Sequence, residues 1–177
     1  YFKNIPRNQS IVFLFKKIII SAYLSTLVDP VFNNLISGKI FSTLDSWIAL
    51  VAFSLQIYFD FSGYTDMAIG LALCFGIKLP FNFFSPYKAT SFTDFWKRWH
   101  ITLSRFLKEH IYIPLGGNKK NSFFRINNIL ITMLIGGIWH GASWNFLLWG
   151  AYHGILISIE KVLNSFNFFK QLKINNL

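Results

Sequence analysis

Four histidines, His100, His110, His140 and His153, lie in a chain otherwise poor in ionisable groups. A neutral imidazole is the least costly ionisable side chain to keep in an apolar setting, and it can take a proton near neutral pH. His140 is the strongest candidate for chemistry. It stands in GGIWHGASWN, Gly136 to Asn145, and the nearest charged residues along the chain are Arg125 and Glu160. An ionisable residue in so apolar a stretch is expected to face a cavity or a partner. Gly136, Gly137, Gly141, Ala142 and Ser143 leave room beside it for a substrate or for another helix. Gly137 to Gly141 and Gly150 to Gly154 are both G-x-x-x-G, a spacing that favours close helix contact. On residue types alone, a general base and an interhelical tie both stay open for His140.

The other histidines read more plainly. His153, about 20 Å from His140 if one helix carried both, reads as a packing residue that hydrogen-bonds a neighbouring helix. His110, in KEHIY, reads as interfacial and solvated, and His100 as a structural histidine on an apolar stripe. No H-x-x-x-H or Cys/His ligand spacing occurs, so no metal is expected. A G-x-S-x-G nucleophile motif is absent, and PLGGNKK lacks the phosphate-loop pattern and reads as a tight surface turn. Cys74, the single cysteine, excludes an internal disulfide and reads as a buried, inert thiol.

The elements that must position these residues are those of a membrane protein. The chain is 53% hydrophobic and 19% aromatic, with a mean hydropathy of +0.42, too apolar for an ordinary soluble domain. Its 17 Lys and Arg against 7 Asp and Glu are better matched to cytoplasmic-side loops and anionic lipid headgroups than to nucleic acid, for which no basic module is present. The first residues, Tyr-Phe-Lys-Asn, have no signal-peptide layout, and the chain is expected to be a fragment of a longer protein. One membrane domain over residues 1–177 is the expected organisation.

Residues 11–28 read as one helix whose Lys16 and Lys17 snorkel to a headgroup level and which Asp29-Pro30 ends. Ser46 to Phe59 and Met67 to Ile77 carry no charge and flank DFSGYTD, so Gly63 marks the break between two helices or within one. Residues 78–125 hold nine basic side chains against Asp94 and Glu109, which places this segment at the cytoplasmic face. Within it, LPFNFFSPYKAT reads as an extended loop. SFTDFWKRWHITLSRFLKEHIYI reads as one amphipathic helix, interfacial or re-entrant, capped by Ser91 or Thr93 with Asp94 in its first turn. Residues 126–159 run without Asp, Glu, Lys or Arg. A single helix of that length would be about 51 Å long, far beyond a hydrocarbon core of about 30 Å, so a break is expected at HGAS, 140–143. The tail after Glu160, with Lys161, Lys170 and Lys173, reads as polar and frayed. The fold class is therefore an all-α, polytopic membrane protein with broken or re-entrant and interfacial helices.

Three stretches, QIYFDFSGYTDMAIGLAL, DFWKRWHITLSRFLKEHIYIPLGGN and GGIWHGASWNFLLWGAYHG, together resemble the membrane-bound O-acyltransferase family, in its bacterial alginate O-acetyltransferase branch. The likeness covers about residues 56–154. It implies a many-helix enzyme around a central chamber, in the bacterial cytoplasmic (inner) membrane. The histidine of IWHGASWN, His140, corresponds to the family's catalytic histidine. His100 ends DFWKRWH, at a position where other branches carry asparagine or histidine. Trp139, Asn145, Asp94, Trp99 and Arg98 lie in the same motifs and are the candidate substrate-binding residues.

The implied reaction moves an acyl group, acetyl in this branch, from a thioester donor (acetyl-coenzyme A or a carrier-linked acyl group) to a hydroxyl of an exported polysaccharide. No bound cofactor is implied. His140 is then the general base, and His100 donates to the developing oxyanion or orients a substrate. Lys97, Arg98, Lys119 and Lys120 could attract the donor's phosphates. Membrane lipids, a glycan acceptor and an exported or periplasmic partner protein complete the expected surroundings. The competing readings are a transporter or pore subunit with Asp60, Asp66 and His140 as a relay, and a non-catalytic scaffold of a glycan-modifying complex.

Overall fold

A computed structural model describes residues 14–119 and 121–165. They form helices and connecting loops, with no strand among the described residues. Four helical segments are long and apolar enough to cross a membrane: Phe15–Leu35, Thr43–Cys74, Ser122–His140 and Trp144–Ser165. The chain is thus an all-α, polytopic membrane protein. It divides into two compact units, Tyr1–Phe81 and Asn82–Leu177.

The first unit is an antiparallel helical hairpin. A π-helical turn, Phe15–Ser21, runs into helix α1, Ala22–Ile36. The helix does not stop at Asp29-Pro30; it carries Pro30 in its interior. Proline is tolerated in spanning helices where side chains and packing make good the lost backbone bond. The carbonyl that Pro30 leaves without its helical N–H is that of Thr26; one turn on, the Asn34 side-chain amide donates to the Pro30 carbonyl, and Phe32 packs on Phe53, ring centroids 5.2 Å apart. Gly38, at φ +79°, closes the helix with its N–H donated to the Leu35 carbonyl.

Helix α2, Thr43–Cys74, starts at Ser42, whose hydroxyl accepts the Asp45 N–H. It is unbroken for 32 residues, so the expected break at Gly63 is absent. Its buried positions, Ala49, Ala52, Ser62, Gly63 and Thr65, are small and let a neighbour approach closely. The acidic stretch needs no unwinding because its counter-ions come from the other arm. Lys16 Nζ lies 3.0 Å from Asp66 Oδ2, and Lys17 Nζ 2.5 Å from Asp60 Oδ1. Both lysines are therefore paired across the hairpin with carboxylates of α2. Cys74, in the last turn of α2, is exposed where a buried thiol was expected.

The second unit begins with the loop 82–91, which contains a 3₁₀ turn at Pro86–Lys88. The segment expected as one amphipathic helix is divided. Helix α3, Phe92–Arg98, is followed by a left-handed residue, His100 at φ 41°, ψ 58°, and then by helix α4, Ile101–Leu107. A π-helical turn, Lys108–Tyr112, continues α4. The glycine turn follows, with Gly116 and Gly117 at positive φ. The side-chain amide of Asn128 holds it by donating to the carbonyls of Leu115 and Gly117.

Helices α5, Ser122–His140, and α6, Trp144–Ser165, form a second antiparallel hairpin, turning over 141–143 as the length of the uncharged run requires. Its seam is closed by glycine. A Cβ on Gly137 would collide with the Phe146 carbonyl oxygen and lie 3.2 Å from Gly150 Cα. One on Gly150 would lie 2.5 Å from the Met133 carbonyl oxygen. Helix α6 continues past Glu160 to Ser165, so the polar stretch there is not frayed at its start. Glu160 accepts the Thr93 N–H at the positive end of α3, 2.8 Å away. Lys170 and Lys173 lie outside the described residues.

Candidate active site

The site candidates cluster where the α5–α6 turn meets the α3–α4 break. Gly141 makes the turn possible: its φ of +155° disfavours any side chain, and a Cβ would stand 2.9 Å from the Phe146 ring. Ser143 restarts the chain as α6, its hydroxyl accepting the Asn145 N–H and its carbonyl the Leu147 N–H. His140 is thereby the last residue of α5, exposed, with aromatic rings around it. Trp139 and Trp149 meet it edge-on, both with centroids 5.0 Å away, and Phe146 stacks at 5.8 Å.

His100 reaches the same group through the break. Its left-handed backbone is uncommon outside glycine, but asparagine and histidine tolerate it better than most residues. Those are the two residue types that the resemblance puts at this position. The broken backbone is made good from upstream. Asn82 accepts the Ile101 N–H on its carbonyl, and the Thr102 N–H and hydroxyl on its side-chain oxygen. The Phe84 N–H donates to the Arg98 carbonyl, and the Ser104 hydroxyl to that of Trp99.

Trp139 lies edge-on to His100 as well, at 6.0 Å, so one indole touches both candidate histidines. Burial pushes the His100 imidazole below its ordinary value, and the neighbouring His140 pushes the same way. His100 is therefore a neutral hydrogen-bonding ring at physiological pH, not a fixed positive charge.

The remaining candidates are placed less centrally. Asp94 and Arg98 bind each other, Nε to Oδ2 at 2.8 Å, and brace the preceding loop. Asp94 also accepts the Thr90 N–H, and the Arg98 guanidinium lies over the Phe84 ring. Trp99 stacks on Phe95 and meets Phe83 edge-on. Asn145 is exposed in the first turn of α6. Of the four basic residues considered for phosphates, Arg98 is thus committed to Asp94, and Lys120 lies outside the described residues.

His153 departs from the separation that a continuous helix would impose. The turn at 141–143 folds α6 back, and His153 touches Trp149 at 4.8 Å, the indole that also touches His140. It packs by ring contacts, including one with Trp96 of α3 at 5.2 Å. His110 is exposed, stacked on Phe106.

Trp96, Phe146 and Trp149 were not among the sequence candidates, yet they wall the histidine cluster. Their signal was available once the turn was placed, because antiparallel pairing sets residue 137 against 146–150. Among the described residues, no three His, Cys, Asp or Glu side chains stand together as a metal-binding group.

Comparison with known proteins bears on what this arrangement belongs to. The family description "MBOAT, membrane-bound O-acyltransferase family" matches residues 11–173. A peptidoglycan O-acetyltransferase of Helicobacter pylori is 51% identical over 148 residues, which cover 84% of this chain and 28% of the relative. A probable alginate O-acetylase AlgI of Azotobacter vinelandii is 47% identical over 148 residues, covering 84% and 29%. A teichoic acid D-alanyltransferase of Streptococcus thermophilus is 30% identical over 156 residues, covering 84% and 37%. The chain spans less than a third of the length of the first two relatives and little more than a third of the other. With the family's pattern extending over nearly all of its length, this chain belongs to the membrane-bound O-acyltransferase family.

Proposed function

We propose that this chain is the histidine-bearing part of a membrane O-acyltransferase, in which His140 is the general base. The reaction is transfer of an acyl group, acetyl by similarity to the O-acetyltransferases, from a thioester to a hydroxyl of an exported glycan. His140 takes the hydroxyl proton as the oxygen attacks the thioester carbonyl. The tetrahedral intermediate collapses, the carbon–sulfur bond breaks, and the imidazolium returns its proton to the departing thiolate. An ester and a free thiol result. His100 donates a hydrogen bond to the oxyanion or orients the acceptor.

The observation that supports the reading is the shared indole: Trp139 contacts both histidines beside an exposed, glycine-lined turn. The bacterial inner membrane, a coenzyme A or carrier-linked donor, and an exported partner protein belong to the same proposal. The alternative relay through Asp60 and Asp66 draws no support, since each carboxylate is bound by a lysine.

The test is His140→Ala, with acetylated glycan measured in membranes where the variant accumulates normally. Acetylation is expected to disappear. Full activity in that variant rejects His140 as the base.

A further inference from the structure

The second unit contains a cleft of about 550 Å³, and Lys97, one of the residues considered for the donor's phosphates, is on its lining. The cleft lies along the half of the α5–α6 hairpin away from the 141–143 turn, and neither His100 nor His140 lines it. Its floor is apolar, built from Leu107, Ile129, Met133 and Ile157 together with Trp96. Four cations line it: Lys97 from α3, Arg105 from α4, Lys108 from the π-helical turn and Lys161 from α6. Glu109 is its one carboxylate. Among the described residues, none of the four cations has an ion-pair partner.

Lys97, Arg105 and Lys108 are exposed and Lys161 is half-buried, so all four meet solvent, and an anion seated among them gains attraction from each. Two features of the cleft define that anion. The apolar floor asks for hydrocarbon, and the cationic lining asks for a phosphate. The hairpin is long and apolar enough to span a bilayer, and the basic segment 78–125 belongs at the cytoplasmic surface, where anionic lipids are enriched. Trp96 separates this space from the histidines: it lines the cleft on one side and packs on Trp149 and His153 on the other.

We propose that this cleft is a seat for one anionic phospholipid, its headgroup phosphate among Lys97, Arg105, Lys108 and Lys161 and an acyl chain on the Trp96–Met133 floor. The lipid neutralises the cations that line the cleft and wedges the α3–α4 arm against the α5–α6 hairpin.

The experiment uses the full-length protein in phosphatidylcholine nanodiscs containing a photoactivatable phosphatidylglycerol. Labelling is expected on peptides carrying Leu107 or Met133, and unlabelled phosphatidylglycerol should suppress it several-fold better than phosphatidylcholine does. Lys108→Gln and Lys161→Gln are each expected to weaken labelling about fivefold, the effect of one basic residue near an anionic surface. Lys108→Arg should retain it. The two Gln variants sit on different elements and replace surface-lining cations, and their reconstitution yield reports folding separately. Equal suppression by phosphatidylcholine overturns the proposal in favour of non-selective lipid contact. Suppression by coenzyme A overturns it in favour of a soluble organophosphate. Labelling that appears only outside the cleft means that another part of the protein fills it, and equally overturns the assignment.

Discussion

The two hairpins solve one problem in opposite ways. Each must hold polar side chains in a segment apolar enough to span a membrane, and each brings its helices close on small residues. In the first, the polar groups are full charges, and the hairpin cancels them pairwise, Lys16 with Asp66 and Lys17 with Asp60. In the second, the imidazoles of His140 and His153 are met by aromatic edges and faces instead of by an opposite charge. Charge pairing consumes the groups it stabilises. Aromatic contacts leave the imidazoles without a bound opposite charge, which is the condition that the proposed proton transfer requires. The contrast explains why the carboxylates of the first hairpin, although equally intramembrane by sequence, are poor candidates for chemistry.

The comparison can be broken most decisively on activity. His140→Ala is expected to lower turnover by about 10²–10⁴-fold, the usual contribution of a positioned base, whereas Asp66→Asn should leave turnover per folded molecule near the parent's. Equal losses in the two variants would erase the distinction between a working and a cancelled polar group.

On stability the two hairpins are expected to be comparably sensitive. Gly137→Ala should destabilise the second hairpin by about 1–3 kcal/mol, since its methyl group meets the Phe146 backbone, which cannot move aside cheaply. In the first hairpin, Asp66→Asn strands a lysine whose side chain is 25% exposed, and the expected cost is about 1–3 kcal/mol, between surface and fully buried pairs. Asp60→Asn should cost under about 1 kcal/mol, because that pair is 35% and 49% exposed and solvent screens it. Thermal unfolding in detergent measures all three, and an Asp60 variant weaker than the Asp66 variant would contradict this ranking.

Glu160→Gln removes the charge from the N-terminus of α3 and should cost about 0.3–1 kcal/mol. The smallest effect is one of pH. The folded protein holds His100 below its ordinary 6.5, so the unfolded chain binds a proton that the folded one resists. Stability from this source is complete above 6.5 and declines as pH falls from there through the lowered value. His100→Asn, which suits the left-handed backbone, should flatten that decline in unfolding curves taken on either side of 6.5. An unchanged slope would show that His100 titrates normally.

Much of the architecture could be read from residue order. Counting the uncharged run from 126 to 159 demanded a break, and His140–Ser143 supplied it. Ser91 was readable as a cap because its partner, Asp94, is three residues away. What escaped were contacts made at long range. Gly63 looked like a break because the counter-ions of Asp60 and Asp66 stand 43 and 50 residues upstream. The division at His100 was hidden because apolar spacing from Trp96 to Leu107 persists through a single left-handed residue, after which Asn82 accepts the N–H groups of Ile101 and Thr102. For the candidate site, His140, His100 and the Trp139 between them were legible as residues, but Phe146 and Trp149, which also meet His140, were not named. Phe146, Trp149 and Trp96 meet the histidines only after two reversals of the chain.

The bonds from Asn82 to Ile101 and Thr102 bear on how this region can be transplanted. A designer who grafts only residues 92–107 onto another scaffold leaves the Ile101 and Thr102 amide hydrogens without the Asn82 acceptors and removes the brace that keeps His100 turned. The chain would relax toward the continuous amphipathic helix that its spacing favours, and the imidazole would lose its direction. The smallest portable module is the whole of residues 82–113, with its loop, its break and its second helix moved together.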